Sequence, residues 1–216
     1  EEVENSAATA VVLTGTGRMF SAGVDLFRVL DGGSDYLRDF VPKLSSSLKR
    51  LLAFPRPVVA AVNGHAIAGG CVLACACDRR LMAEPGGVIG LTELLVGVPF
   101  PVAALETVRE LLPACHLQDV VYRGRTVGPG EAREIGLVDE LVEPGELSER
   151  SLATAAELGA IPAPAFALTK RLLRAPLLER IDRYAADVDP EVLENWSRPE
   201  TLATVRAFLD RTVGRK

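Results

Sequence analysis

Two short apolar runs, each followed at once by a glycine turn, constrain the fold of this chain more than any other feature. Residues 10–13 form the first run, before a turn at 14–17, and residues 57–62 form the second, before Asn63-Gly64. Continuous apolar runs that end in turns are typical of buried strands. Between them, residues 36–54 carry apolar side chains at helical spacing on one face. A strand, a helix and a second strand in this order predict an α/β domain.

The second glycine turn leads into a short helix and a further strand. Gly69 and Gly70 precede small residues at 71–77, which predict a buried helix, and residues 79–83 predict the next strand. The strand signal ends near Pro144. Beyond it, amphipathic helices are expected at 146–158, 163–173, 177–186 and 199–213, separated by prolines.

Length and charge limit the possible organisation and partners. A chain of 216 residues that is 48% hydrophobic has enough apolar material for one packed domain with a helical appendage. We predict a core at residues 1–143 and a helical region at 144–216 that packs on it or on another subunit. The net charge of −5 and the pI near 5.2 argue against nucleic acid or an anionic membrane as the main partner.

Cys71, Cys75 and Cys77 are clustered, which raises the question of a metal site. Their spacing fits no usual zinc pattern, so we predict no metal and expect small side chains that pack a buried helix. Unpaired thiols and the lack of a signal peptide predict a cytoplasmic protein. No apolar run approaches the roughly 20 residues of a membrane span, so no membrane is expected.

Two of the glycine turns form the most informative candidate site. The first covers residues 20–26, and the second covers residues 63–70 and leads straight into a helix. Glycine permits close approach of the backbone to a ligand, and a helix N-terminus leaves N–H groups unpaired. Two such donors aimed at one point form an oxyanion hole. Each turn alone is more typical of an ordinary structural turn after a strand.

The order of these motifs resembles a known family. Residues 11–15 and 21–26, then 57–64 with 68–71 and 77–78, then 90–97, and finally 124–139 are similar to successive signatures of the crotonase (enoyl-CoA hydratase/isomerase) superfamily. The resemblance covers about residues 9–145. It implies a crotonase-like spiral of ββα units with a C-terminal helical trimerisation region. Family members usually begin with a further strand and helix, so the N-terminal part of the family domain is expected to be missing here.

The resemblance also implies partners and site residues. The substrate is expected to be an acyl-CoA or enoyl-CoA, with coenzyme A as part of the substrate and no permanently bound cofactor, and the assembly a homotrimer or hexamer. The amides of Val24 and Gly69 are expected to form the oxyanion hole, and Glu93 to be catalytic. The predicted substrate-binding residues are Ser21, Ala22, Gly23, Asp25, Leu26, Phe27, Gly70, Val72 and Thr92.

The residues at the two carboxylate positions of the family indicate the reaction. Family hydratases use two glutamates, and the positions that resemble them here hold Val72 and Glu93. Valine transfers no proton, and loss of a general acid–base partner typically costs 10²–10⁴-fold in rate. A double-bond isomerase needs one base, and residues 90–93, with Thr92 before the glutamate, look like the single-glutamate Δ3,Δ2-enoyl-CoA isomerase branch. We therefore predict an isomerase of fatty acid metabolism.

Several alternatives stay open at this point. A weak hydratase is the first, and an acyl-CoA-binding protein without turnover is the second. A serine hydrolase would need His65 or His116 as its base, but Ser21 lies in no Gly-x-Ser-x-Gly motif. A dinucleotide fingerprint at Gly15 and Gly17 lacks its third glycine.

Contacts to the coenzyme A phosphates and adenine are expected from basic and aromatic side chains. Arg18, Arg28, Arg56 and Lys170 are candidates for the phosphates, although each is more typical of an ordinary surface charge. Phe27 is a candidate for adenine stacking. Asp25 is predicted to fix its loop through backbone hydrogen bonds, and Asp78 to be structural.

Overall fold

The computed structural model describes residues 6–212 of the chain. Its strands, in chain order, are β1 (Val11–Thr14), β2 (Met19–Ser21), β3 (Val58–Val62), β4 (His65–Ile67), β5 (Arg79–Ala83), β6 (Ile89–Gly90), β7 (Thr126–Val127) and β8 (Glu140–Val142). Its helices are α1 (Leu26–Leu52), α2 (Gly69–Ala76), α3 (Glu93–Val96), α4 (Val102–Leu111), α5 (Ala114–Arg123), α6 (Pro129–Glu134), α7 (Leu147–Gly159), α8 (Ala163–Ser197) and α9 (Pro199–Thr212).

The strands form two four-stranded sheets. The first sheet has the order β1-β3-β5-β8 with every pair parallel, and its register places Val12 beside Val59 and Ala61 beside Leu81. The second has the order β2-β4-β6-β7, and only its last pair is antiparallel. Because β3 is buried along its whole length, its apolar run is continuous rather than alternating.

The first six strands alternate between the two sheets. Strands β1, β3 and β5 of the first sheet are each followed by a strand of the second, and a helix then completes each turn: α1, α2 and α3 respectively. This repeated ββα unit confirms the predicted α/β class. It also places the loops before α1, α2 and α3 side by side at one end of the second sheet.

Helix α1 begins ten residues before the predicted start. Asp25 caps it, because its side chain accepts hydrogen bonds from the amides of Phe27 (3.1 Å) and Arg28 (3.2 Å). The helix is kinked at Gly33, whose φ of +52° suits glycine. After the kink, the predicted apolar face packs inward through Leu37, Val41, Leu48 and Leu52.

The prediction of two separate helices at 163–173 and 177–186 was wrong. Helix α8 is continuous over 35 residues and contains Pro176 and Pro190. A proline inside a helix removes one backbone hydrogen bond and normally ends or kinks it. Here some residues after each proline are buried: Leu177 and Ile181 after Pro176, and Val192 and Trp196 after Pro190. We attribute the continuity of the helix to that packing.

Three apolar clusters fill the interior. The largest lies between the two sheets and α2, and a smaller one lies beneath α7. The third joins α1 to α8 and α9 through residues such as Val41, Trp196 and Val205. The cysteines at 71, 75 and 77 are buried and free, as predicted, and no group of potential metal ligands occurs within residues 6–212.

The length and composition of the described helices bear on whether they could cross a membrane. None of them is by itself long and apolar enough to cross a bilayer. Helices α7 and α8 are long and apolar enough only when taken together, across a bend of 99°.

Lys170 is held in a buried ion pair rather than presented to a ligand. Its Nζ donates to Asp78 Oδ2 (2.6 Å) and to the carbonyl of Arg56 (3.1 Å), and only 6% of its side chain is exposed. Asp78 also accepts from the amide of Val58 (2.8 Å) at the start of β3. The pair thus ties α8 to the sheet, which favours a structural role for both residues.

Lys170→Ala is expected to lower the free energy of unfolding by about 2 kcal/mol, because it leaves the Asp78 carboxylate buried without its nearest cation. The value is below that typical of a fully broken pair, since Arg174 remains 3.6 Å from Asp78. Urea denaturation measures the change. Lys43→Ala is the matched control: its pair with Asp39 is exposed, so a change below about 0.5 kcal/mol is expected. Equal effects of the two substitutions would contradict the structural role.

Candidate active site

An apolar cavity lies between the body and the C-terminal helices. Its volume is about 110 Å³, and its walls come from the loop before α1, from helices α1 to α4, and from α8 and α9. The lining residues are Ala22, Val24, Leu26, Leu44, Leu48, Ile67, Ala68, Gly69, Val72, Thr92, Glu93, Val96, Val98, Pro101, Ala104, Trp196 and Phe208. Glu93 is the one ionisable side chain among these described residues.

The structure brings seven of the predicted site residues together on the wall of this cavity. They are Ala22, Val24, Leu26, Gly69, Val72, Thr92 and Glu93. The other five predicted residues do not line it: Ser21, Gly23, Asp25, Phe27 and Gly70. Most of these five shape the two loops instead.

The loops that carry Val24 and Gly69 are in direct contact. A Cβ added to Gly23 would lie 2.9 Å from the amide nitrogen of Gly69, and one added to Gly69 would lie 3.8 Å from that of Val24. Gly23 has a φ of +85°, and Ala68, which precedes α2, has a φ of +53°. The chain therefore adopts unusual backbone angles on both sides of this contact, where glycine or local strain is required.

The amides of Val24 and Gly69 have no acceptor within the part of the chain that the structure describes. Gly69 is the first residue of α2, where a helix leaves its N–H groups unpaired and carries positive partial charge. Val24 lies just before the cap of α1. Both residues line the cavity.

Ser21 and Gly70 do not line the cavity but contact the backbone of the two loops. The Ser21 hydroxyl accepts from the amide of Gly23 at 3.2 Å. A Cβ at position 70 would lie 2.2 Å from the carbonyl oxygen of Ser21, so this position admits only glycine without movement of the backbone. Both residues thus set the path of the loops.

Asp25 and Phe27 lie at the start of α1. The Asp25 side chain caps this helix through two backbone amides, in agreement with its predicted role. The Phe27 side chain is 54% exposed and lies away from the cavity. Stacking of Phe27 on an adenine stays a prediction.

Glu93 lies at the first position of the short helix α3 and is only 8% exposed. Its Oε2 has no hydrogen-bond partner among the described residues. Burial in this apolar setting disfavours the charged form and raises the pKa of the carboxyl to about 7, against the weaker opposing effect of backbone hydrogen bonds from Glu93 and Thr92. Such a group is half ionised near neutral pH, as a general base requires.

Helix α3 ends at a glycine that packs against α9. Gly97 ends it with a φ of +87°, and a Cβ there would lie 2.9 Å from Thr204 of α9. The amide of Val98 donates to the carbonyl of Glu93 at 3.0 Å. Glu93 is therefore held on a rigid turn between the body and α9.

The two histidines give no support to a serine hydrolase. His65 Nδ1 accepts a hydrogen bond from the amide of Val88 at 3.2 Å, so that nitrogen is occupied by the backbone. No hydrogen bond joins Ser21 to His65 or His116 among the residues described, and the Ser21 hydroxyl contacts Gly23 instead.

Comparison with known proteins identifies the family of this chain. The model of the Enoyl-CoA hydratase/isomerase family matches residues 1–210, almost the whole chain. The chain belongs to the enoyl-CoA hydratase/isomerase family. The solved structure of human mitochondrial delta3-delta2-enoyl-CoA isomerase is similar over 100% of this chain and 84% of its own, with 27% identity and a TM-score of 0.92. This likeness confirms the crotonase-like fold.

Relatives within the enoyl-CoA hydratase/isomerase family carry the names of both reactions. A candidate enoyl-CoA hydratase of Thermus thermophilus is 38% identical over 208 residues, which cover 94% of this chain and 80% of the relative. Human mitochondrial enoyl-CoA delta isomerase 1 is 29% identical over 215 residues, covering 98% of this chain and 71% of that protein. The names therefore agree on the family and differ on the reaction.

Sequence reasoning missed the part of the site that lies farthest along the chain. Trp196 and Phe208 line the cavity from α8 and α9, and Val98, Pro101 and Ala104 line it from α4 and the segment before it. Trp196 is the one tryptophan of the sequence and falls between the predicted helices at 177–186 and 199–213, and a side chain of this size and apolar character is usually buried. The sequence therefore indicates that Trp196 is buried, but it does not indicate that Trp196 lies beside residues 24, 69 and 93.

Proposed function

We propose that this family member catalyses double-bond isomerisation of a 3-enoyl-CoA to a 2-enoyl-CoA. The observation that supports it best is the single carboxylate among the described lining residues: Glu93 borders an apolar space, its Oε2 has no hydrogen-bond partner there, and its pKa is about 7. One base that both removes and returns a proton is sufficient for this reaction.

The proposed reaction has two proton transfers and consumes no other reactant. The ionised Glu93 removes a proton from C2 of the thioester, and the electron pair of that bond moves toward the thioester oxygen to give a dienolate. The protonated Glu93 then donates to C4, and the electrons return to form the C2–C3 double bond. Val72 beside the base supplies no second acid–base group, and its methyl groups help to exclude water.

The amides of Val24 and Gly69 are proposed to stabilise the dienolate oxygen. Donors fixed before the reaction stabilise developing charge without reorganisation, and loss of one typically costs about 2.7–4 kcal/mol. The two amides are suited to this role because they border the same cavity as Glu93 and have no other acceptor in the described chain.

Isotope labelling tests the reaction directly. The protein is incubated in deuterated water with 3-hexenoyl-CoA and, separately, with 2-hexenoyl-CoA. The proposal expects interconversion of the two, with deuterium at C4 of the 2-enoyl product to the extent that Glu93 exchanges with solvent. A 3-hydroxyacyl product as the main species would instead establish a hydratase. Tight binding without conversion of either compound would establish a binding protein.

A hydratase is the second candidate, because the Thermus relative carries that name. It requires one carboxylate to activate water and a second group to handle the α-proton. The cavity holds only Glu93 for both tasks among the described lining residues. We therefore expect hydration to be slower than isomerisation by at least about 10²-fold.

The pH profile follows from the environment of Glu93. Because burial raises the pKa of this carboxyl to about 7, the base is protonated and inactive below that pH and ionised above it. We expect kcat/KM for 3-hexenoyl-CoA to rise with pH, to reach half its maximum near pH 7 and to level off above about pH 8. A profile flat from pH 5 to 8 would contradict a buried carboxylate base.

The oligomeric assembly is also proposed. Helix α8 exposes large apolar side chains, of which Leu172 is 65% and Leu173 is 70% exposed. Together with the family's trimerisation region, these residues favour a homotrimer or a hexamer of paired trimers. Light scattering of the eluted protein distinguishes the two from a monomer.

A further inference from the structure

We infer that the cavity selects an uncharged aliphatic acyl group of about four to seven carbon atoms, and that Trp196 sets the upper limit. The inference rests on the proposed function, because it assigns the cavity to the acyl part of the thioester. It is supported by the apolar chemistry of the cavity wall, by the volume of the cavity and by the fixed position of Trp196.

The chemistry of the wall excludes a charged or hydrogen-bonding acyl tail. Apart from Thr92 and Glu93, every lining side chain is apolar or glycine, and the cavity contains no lysine or arginine among the described residues. A terminal carboxylate would therefore be buried without a cation, beside a base that is itself negative when active. A tail hydroxyl would likewise lose its bonds to water with little to replace them.

The size of the cavity limits the tail. A volume of about 110 Å³ corresponds to roughly four to seven groups of the size of a water molecule or methylene. Well-packed interiors yield little when a group of this size is added, so each extra methylene beyond that number is expected to lower kcat/KM several-fold.

Trp196, which is proposed to set the limit, is held in place in the cavity wall. Trp196 is only 3% exposed, and its Nε1 donates to the carbonyl of Pro99 at 2.8 Å. Its ring packs in the cluster that contains Val98 and Val205. The indole therefore has one hydrogen-bonded position. Phe208 of α9 lines the same C-terminal side of the cavity.

The test compares turnover of 3-hexenoyl-CoA, 3-dodecenoyl-CoA and the thioester of 3-hexenedioic acid, which ends in a carboxylate. For the unaltered protein we expect kcat/KM to fall at least tenfold from hexenoyl to dodecenoyl, and at least a hundredfold for the carboxylate. Trp196→Ala should raise the dodecenoyl-to-hexenoyl ratio at least tenfold. Trp196→Phe, which keeps a large ring, should change that ratio less than threefold.

Phe208→Ala is a second variant in case Trp196→Ala does not fold, and it should shift the ratio in the same direction. Equal turnover of hexenoyl and dodecenoyl thioesters, or a ratio that neither truncation alters in folded protein, would overturn the inference. If no 3-enoyl-CoA is converted, the proposed function fails, and calorimetric binding of hexanoyl-CoA against lauroyl-CoA still tests the cavity. Preference for lauroyl-CoA there would overturn the inference separately.

Discussion

Glu93→Gln is expected to lower kcat for isomerisation of 3-hexenoyl-CoA by about 10⁴-fold. The amide has nearly the same shape as the carboxyl but cannot accept the proton from C2. Because Glu93 is the one ionisable group lining the cavity in the described chain, no neighbour replaces it. The binding walls are unchanged, so KM should alter by less than a few-fold. The rate of formation of 2-hexenoyl-CoA measures the effect.

Glu110→Gln is the matched control for this substitution. Glu110 lies on α4 outside the cavity and pairs with Arg180, so the same chemical change there should leave kcat within twofold. Activity of Glu93→Gln within tenfold of the unaltered protein would remove Glu93 from the reaction.

Gly69→Pro is expected to lower kcat by about 10²–10³-fold, because proline lacks the N–H that is proposed to bind the thioester oxygen. The first position of a helix is where proline is tolerated best, so α2 should still form. Circular dichroism and thermal melting check that the variant folds, and steady-state kinetics with 3-hexenoyl-CoA measure the loss.

Gly69→Ala separates the amide from the added side chain. Alanine keeps the N–H, and its Cβ would make an ordinary contact of 3.4 Å with Cα of Gly23. Its kcat should stay within about fivefold of the unaltered protein. Equal losses in the alanine and proline variants would mean that the side chain, and not the missing donor, is responsible.

Much of the α/β core is predictable from local sequence. The apolar runs at β1 and β3 are bounded by glycine turns, and the face of α1 repeats at helical spacing, so local patterns match the packed structure. The start of α1 and the continuity of α8 were not predictable in the same way. The first depends on the cap by Asp25, and the second on burial of Leu177 and Trp196, which no local pattern shows.

The candidate site, like the fold, is predictable from the sequence only in part. The glycine turns and residues 90–93 resemble motifs of a known family, and that resemblance alone predicts that Val24, Gly69 and Glu93 share one site. Residues with no motif, such as Trp196, reach the cavity only because α8 and α9 fold back on the body. The raised pKa of Glu93 also depends on that burial, and therefore on contacts between distant parts of the chain. The division of the chain at residue 143 and the coenzyme A contacts stay predictions.

A crystal structure with bound hexanoyl-CoA is the most direct test of the central claim, that two main-chain donors and one carboxylate act on a single thioester. We expect the thioester oxygen about 2.7–3.1 Å from the amide nitrogens of both Val24 and Gly69. A carboxyl oxygen of Glu93 should lie within about 3.5 Å of C2. A thioester oxygen bound away from these amides, or a Glu93 that points out of the cavity, would contradict the account.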